Sequence, residues 1–81
     1  MDFGNLKTKI DESLQSKEIF VDSINYLKKG KYYFLEITVD KIGGVDLDGV
    51  VDATNIISPI VDKDDFTKDS YILDVSSKER G

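Results

Sequence analysis

The sequence predicts a small α+β domain with the element order α-β-β-α-β. Three stretches carry that prediction. Gly43 to Val61, GGVDLDGVVDATNIISPIV, reads as a glycine turn, a cap and one amphipathic helix. Tyr32 to Asp40 alternates with the period of a half-buried strand. Phe3, Leu6, Ile10 and Leu14 recur at helical spacing, one stripe of a first helix.

Taken in order, the first helix covers roughly 2–17, with Lys7, Lys9, Asp11, Glu12 and Lys17 on its solvated faces. Ile19 to Lys28 is the first strand. Phe20, Ile24 and Tyr26 share a parity that Asp22 interrupts, while Val21 and Leu27 take the other. Either both faces are partly covered or a bulge sits near Asp22–Ser23. Lys28-Lys29-Gly30-Lys31 is a turn in which Gly30 supplies a positive φ. In the second strand Tyr33, Leu35, Ile37 and Val39 face one side, and Phe34, Glu36 and Thr38 the other.

Lys41 to Val45 then turns the chain into the second helix. Asp46 is placed to accept from the free N–H groups of its first turn. Leu47, Val50, Val51, Ile57, Ile60 and Val61 form its apolar stripe, which needs a sheet to cover. Val50, Val51 and Ile57 are expected against Leu35, Ile37 and Leu73. Pro59 removes one backbone donor and should loosen or kink the last turn. Asp62-Lys63-Asp64-Asp65 reads as an acidic loop. Ser70 to Ser76 is the third strand, with Tyr71, Leu73 and Val75 on one face and Asp74 on the other. The tail from Ser77 to Gly81 is polar and expected to fray.

A helix between the second and third strands makes a crossover that sets those strands parallel. The favoured sheet is three-stranded and mixed, of order 2-1-3, with both helices on one face. Order 1-2-3 is the alternative.

Composition narrows the function classes. The 81 residues make one domain, 1–81, without cysteine or histidine. That removes disulfides, thiol nucleophiles, the common zinc sites and the usual proton shuttle. No apolar run reaches the ~18 residues of a membrane span, and no signal peptide is visible. The expected setting is soluble and cytoplasmic. Net charge is −5 and falls in the second half: residues 1–41 sum to zero. An acidic half argues against a nucleic-acid binder that uses its whole surface, and it permits a basic protein partner.

The candidate constellations are few. Gly43-Gly44 opens a helix after a strand, but no third glycine follows at dinucleotide spacing and no Gly-Lys-Ser/Thr is present, so a turn is the reading. Asp62, Asp64 and Asp65 hint at a calcium loop. Counted from Asp62, the positions that need an amide or acid, a glycine and a glutamate hold Phe66, Thr67 and Leu73. Ser76 and Ser77 lack an ordinary activating base. No catalytic, cofactor-binding or metal-ligating residue is assigned, and an enzyme is not expected. Lys28, Lys29 and Lys31 beside Tyr32, Tyr33 and Phe34 form the one basic-aromatic cluster. Such a cluster can hold single-stranded RNA. The plainer reading is a hairpin tip kept soluble by lysine over aromatics that pack cross-strand.

One ordered set of residues goes further. It runs Tyr26, Asp40, Gly43-Gly44-Val45, Leu47-Asp48, Ile57-Ser58, Asp62, Asp65 and Tyr71-Ile72-Leu73-Asp74-Val75-Ser76-Ser77. In this the chain resembles, from Phe20 onward, the N-terminal domain of the ribosome maturation factor RimP family. The last piece looks like the family's Tyr-x-Leu-Glu-Val-Ser-Ser, with Asp74 for Glu. It departs where the family continues with Pro-Gly and Arg-Pro-Leu: here Lys78-Glu79-Arg80-Gly81 follows, and the family's C-terminal β-barrel domain is expected to be absent. The resemblance implies a bacterial ribosome-biogenesis factor that assists late assembly of the small (30S) subunit by non-covalent binding. No cofactor, membrane or small-molecule substrate is expected, and the chain is expected to be a monomer. Charge then suggests Lys28, Lys29 and Lys31 for rRNA phosphate, and Asp62, Asp64, Asp65 and Asp69 for a basic ribosomal protein. The competing reading is a stand-alone protein-interaction or dimerisation module that uses Tyr32, Phe34 and Ile72 on the sheet face without helices.

Overall fold

The computed structural model describes residues 3–64 and 66–78. The order of elements is α1 (Gly4–Leu14), a 3-10 turn (Gln15–Lys17), β1 (Phe20–Lys29), β2 (Tyr32–Asp40), α2 (Leu47–Lys63) and β3 (Tyr71–Ser77). This is the expected α-β-β-α-β sequence, and each element starts within a few residues of its expected place.

The sheet order is β1-β2-β3, which corrects the favoured 2-1-3. β2 pairs antiparallel with β1 and parallel with β3. The physical reason lies in which strand can afford to be central. Leu35, Ile37 and Val39 are fully buried, and β2 is regular throughout. β1 carries a bulge between Val21 and Ser23, a device suited to an edge. Parity changes at that bulge, so Val21 pairs with Val39 while Ile24 and Tyr26 pair with Ile37 and Leu35. The broken alternation of the first strand is thus one inserted residue, Asp22.

Both helices lie on one face of the sheet. Leu6, Ile10 and Leu14 of α1 share a core with Val21, Leu35, Ile37 and Val39 and with Ala53, Ile57 and Val61 of α2. Ile19, just before β1, joins them. α1 packs on α2 and β1, and α2 packs on β3. Leu73 and Val75 are partly buried against the same core.

The apolar stripe of α2 is corrected in its first turns. Ile57 is fully buried and Val50 half-buried, but Leu47 is 78% exposed and Val51 51%. The core-facing line passes through Ala53, too small to mark itself as apolar, and continues through Ile57 and Val61. Leu47 and Val51 lie beside that line, on one flank of the helix.

The turn chemistry is as the residues imply. Gly30, Gly43 and Gly44 have φ of 63°, 88° and 93°. Asp46 Oδ1 accepts from the Gly49 N–H at 2.8 Å and closes the start of α2. The helix continues past Pro59 to Lys63, so Asp62 and Lys63 belong to α2 and not to a loop. Pro59 is exposed, and so is Asn55, whose carbonyl loses a donor, so water can satisfy it. Ser77 is part of β3, and the Lys78 N–H donates to the Val39 carbonyl at 2.8 Å. The start of the tail is therefore pinned, and residues 79–81 lie outside the described residues.

Candidate interaction surfaces

The hairpin forms because Gly30 lets a two-residue connection, Gly30-Lys31, reverse the chain between Lys29 and Tyr32. Its lysines point in separate directions. Lys28 pairs in register with Tyr33, and its Nζ sits 5.6 Å from that ring's centroid on the helix side of the sheet. Lys29 belongs to the open face, where its Nζ meets Glu36 Oε2 at 2.9 Å and lies 5.6 Å from the centre of the Phe34 ring. Lys31 is exposed in the turn itself. The three cations share one end of the molecule without forming one flat patch.

The acids divide in the same way. Asp62 is exposed on the last turn of α2. Asp64, just beyond that helix, is half-buried and lies 3.8 Å from Lys9 Nζ, a loose pair. Asp69 is exposed; its Oδ2 accepts from the Thr67 hydroxyl at 3.3 Å, and its own N–H donates back to that oxygen at 3.1 Å. Asp65 lies outside the described residues.

Between these two groups stands a cluster of rings. Tyr26 stacks on Tyr33 with centroids 5.4 Å apart, and Phe66 meets Tyr26 edge-on at the same distance. Phe66 also contacts Phe3 at 5.6 Å and Tyr71 at 5.2 Å. Burial first, then the nearby Asp62 and Asp64 charges and Tyr26, hold the Tyr71 hydroxyl above its usual pKa. Phe66 is the anchor that sequence reasoning missed. Its signal was present: it is the lone apolar side chain between Asp62 and Ser70. By docking on Tyr26, it pins the acidic connection to the hairpin end of the sheet.

The face of the sheet without helices carries Leu27, Phe34 and Ile72 side by side in register at its hairpin end, with Tyr32 beside them. Asn25, Glu36 and Asp74 form the next row. Tyr32 and Ile72 are exposed, and Phe34 is half-buried. No helix among the described residues is long and apolar enough to cross a membrane. No group of three or more acidic side chains among them could hold a metal ion. The surfaces offer hydrogen bonds, charge and apolar area, the means of non-covalent recognition.

Residues 9–78 match the family model of the RimP N-terminal domain. The match spans both helices and all three strands apart from the first residues of α1. The chain therefore belongs to the RimP family at its N-terminal domain, a family of ribosome maturation factors.

Proposed function

We propose that the chain is a ribosome maturation factor that assists late assembly of the small ribosomal subunit by binding it without covalent chemistry. The family match over residues 9–78 carries this reading. The exposed Lys29 and Lys31 suit rRNA phosphate, and Asp62 and Asp69 suit a basic ribosomal protein. In this reading the protein acts in the cytoplasm as a monomer, with no cofactor, no small-molecule substrate and no catalytic step.

Co-sedimentation with purified small subunits over a salt series tests it. The expected result is binding at low salt that weakens as salt rises. Failure to co-sediment at low salt overturns the reading. The triple variant Lys28→Glu, Lys29→Glu, Lys31→Glu places the contact. Loss of binding assigns it to the hairpin, and unchanged binding across the series removes the hairpin from the interface.

The exposed Tyr32 and Ile72 on the open sheet face favour a second reading, a protein-interaction module that dimerises there. Sedimentation of the purified chain separates the two. A tight homodimer that ignores ribosomal subunits supports the second.

A further inference from the structure

We propose that the outer edge of β3 is a docking site for an extended segment of a cationic partner protein, added to the sheet as a fourth strand. The inference does not require the partner to be ribosomal.

The two edges of the sheet differ. β1 is protected: it is bulged at Asp22, and its Val21 N–H is occupied by Asp11 Oδ1 from α1 at 2.7 Å. It also ends in Lys28 and Lys29. β3 has none of these devices. Tyr71 to Ser77, YILDVSS, contains no proline, no lysine and no break in register. Its outer edge has no neighbouring strand among the described residues. A regular, unprotected edge of this kind is a template for pairing.

The direction of its donors follows from one bond. The Lys78 N–H points to β2, where it meets the Val39 carbonyl. Alternation then turns the N–H and C=O groups of Tyr71, Leu73, Val75 and Ser77 outward.

The helix layer is unfinished on the same side. Asp52 of α2 lies 3.6 Å from Lys17, the last residue of the 3-10 turn that follows α1, which marks the flank of α2 nearer α1. Helical spacing turns Leu47 and Val51 away from that flank, both are exposed, and the strand on which α2 packs is β3. A fourth strand would set its inward side chains beside them and cover apolar area that the chain leaves in water.

Charge decides the occupant. Asp74, midway along β3, is exposed on the open face and directly opposite Glu36. Like charges so placed repel. Glu36 has Lys29, whereas Asp74 has no ion pair among the described residues. A lysine or arginine on the added strand would supply one. A second copy fits poorly: pairing two β3 strands about their midpoints opposes Asp74 to Asp74, and each chain carries −5.

The test is an NMR titration of the full, isotope-labelled chain with a short capped peptide of alternating lysine and valine. A glutamate-valine peptide is the control. The expected result is saturable binding that slows amide exchange roughly tenfold or more at Tyr71, Leu73, Val75 and Ser77. The methyl signals of Leu47 and Val51 should shift with it. The double variant Leu47→Gln, Val51→Gln should weaken binding without altering the rest of the spectrum, and Asp74→Lys should transfer the preference to the glutamate peptide. Four outcomes overturn the proposal. They are no saturable response, equal binding of both peptides, shifts confined to the hairpin or to the stretch from Asp62 to Asp69, and protection of the same amides that depends on protein concentration alone. The last would make a second copy the occupant. No ribosome enters the assay, so its failure is read separately from failure of subunit binding.

Discussion

Lys78 Nζ stands 3.2 Å from Asp22 Oδ1, and this pair joins the two outer strands of the sheet across the central one. Lys78 is held beside β2 by its backbone bond to Val39, and Asp22 is the inserted residue of the β1 bulge. The bulge therefore both frees Asp22 from the register and presents its carboxylate to the far edge. Both side chains are partly exposed, so the pair is screened by solvent. A double-mutant cycle on Asp22→Ala and Lys78→Ala, read by urea unfolding, should give a coupling of about 0.2–1 kcal/mol that shrinks in high salt. A coupling well above that range would mean the strap organises the sheet.

Asp11 should matter more. Its Oδ1 takes the Val21 N–H at 2.7 Å, and its Oδ2 takes Lys7 at 2.7 Å. Asp11→Ala leaves a strand donor at the bulge without its acceptor. We expect a loss of about 1–3 kcal/mol in chemical denaturation. Asp11→Asn keeps an acceptor and should lose less.

Tyr26 makes the opposite prediction. Its ring is central to the aromatic cluster, yet its hydroxyl oxygen is buried with no hydrogen-bond partner among the described residues. Tyr26→Phe keeps the ring and removes the unsatisfied group. Stability should hold or rise, by up to about 1 kcal/mol. A fall of that size would show that the hydroxyl has a partner in solution.

Ile57 and Leu47 separate the two sides of α2. Ile57 is fully buried, so Ile57→Ala should cost about 2–5 kcal/mol. Leu47→Ala should stay within about 0.5 kcal/mol, because the side chain is mostly in water already. Thermal unfolding of the two variants checks the ordering.

Tyr71 gives the pH dependence. Burial and then the Asp62 and Asp64 charges disfavour its phenolate in the folded state, so its folded pKa lies above the ordinary tyrosine value of 10.0. The unfolded chain releases this proton first as pH rises. The contribution is fully present below pH 10.0 and is lost as pH climbs through the folded value. The stability of the wild type to denaturant should fall above that point relative to Tyr71→Phe, which has nothing to ionise. Parallel curves for the two proteins would refute it.

The site was less legible than the fold. Lys28, Lys29 and Lys31 are adjacent in sequence, but strand alternation sends Lys28 and Lys29 to opposite faces. Phe66 sits in a polar run, and its partners come from α1's start, β1 and β3. Contacts between residues so far apart in sequence leave no local pattern.

Local periodicity determined the elements themselves. The period of two in Tyr32–Asp40, the helical recurrence of Leu6, Ile10 and Leu14, and the Asp46 cap act between near neighbours, so the chain alone specifies them. Tertiary packing decided which strand is central and which flank of α2 is covered. Both choices depend on whole faces competing for one core. The regular β2, with Leu35, Ile37 and Val39 fully buried, took the middle, and α2 turned Ala53, Ile57 and Val61 to the core, leaving Leu47 and Val51 to water.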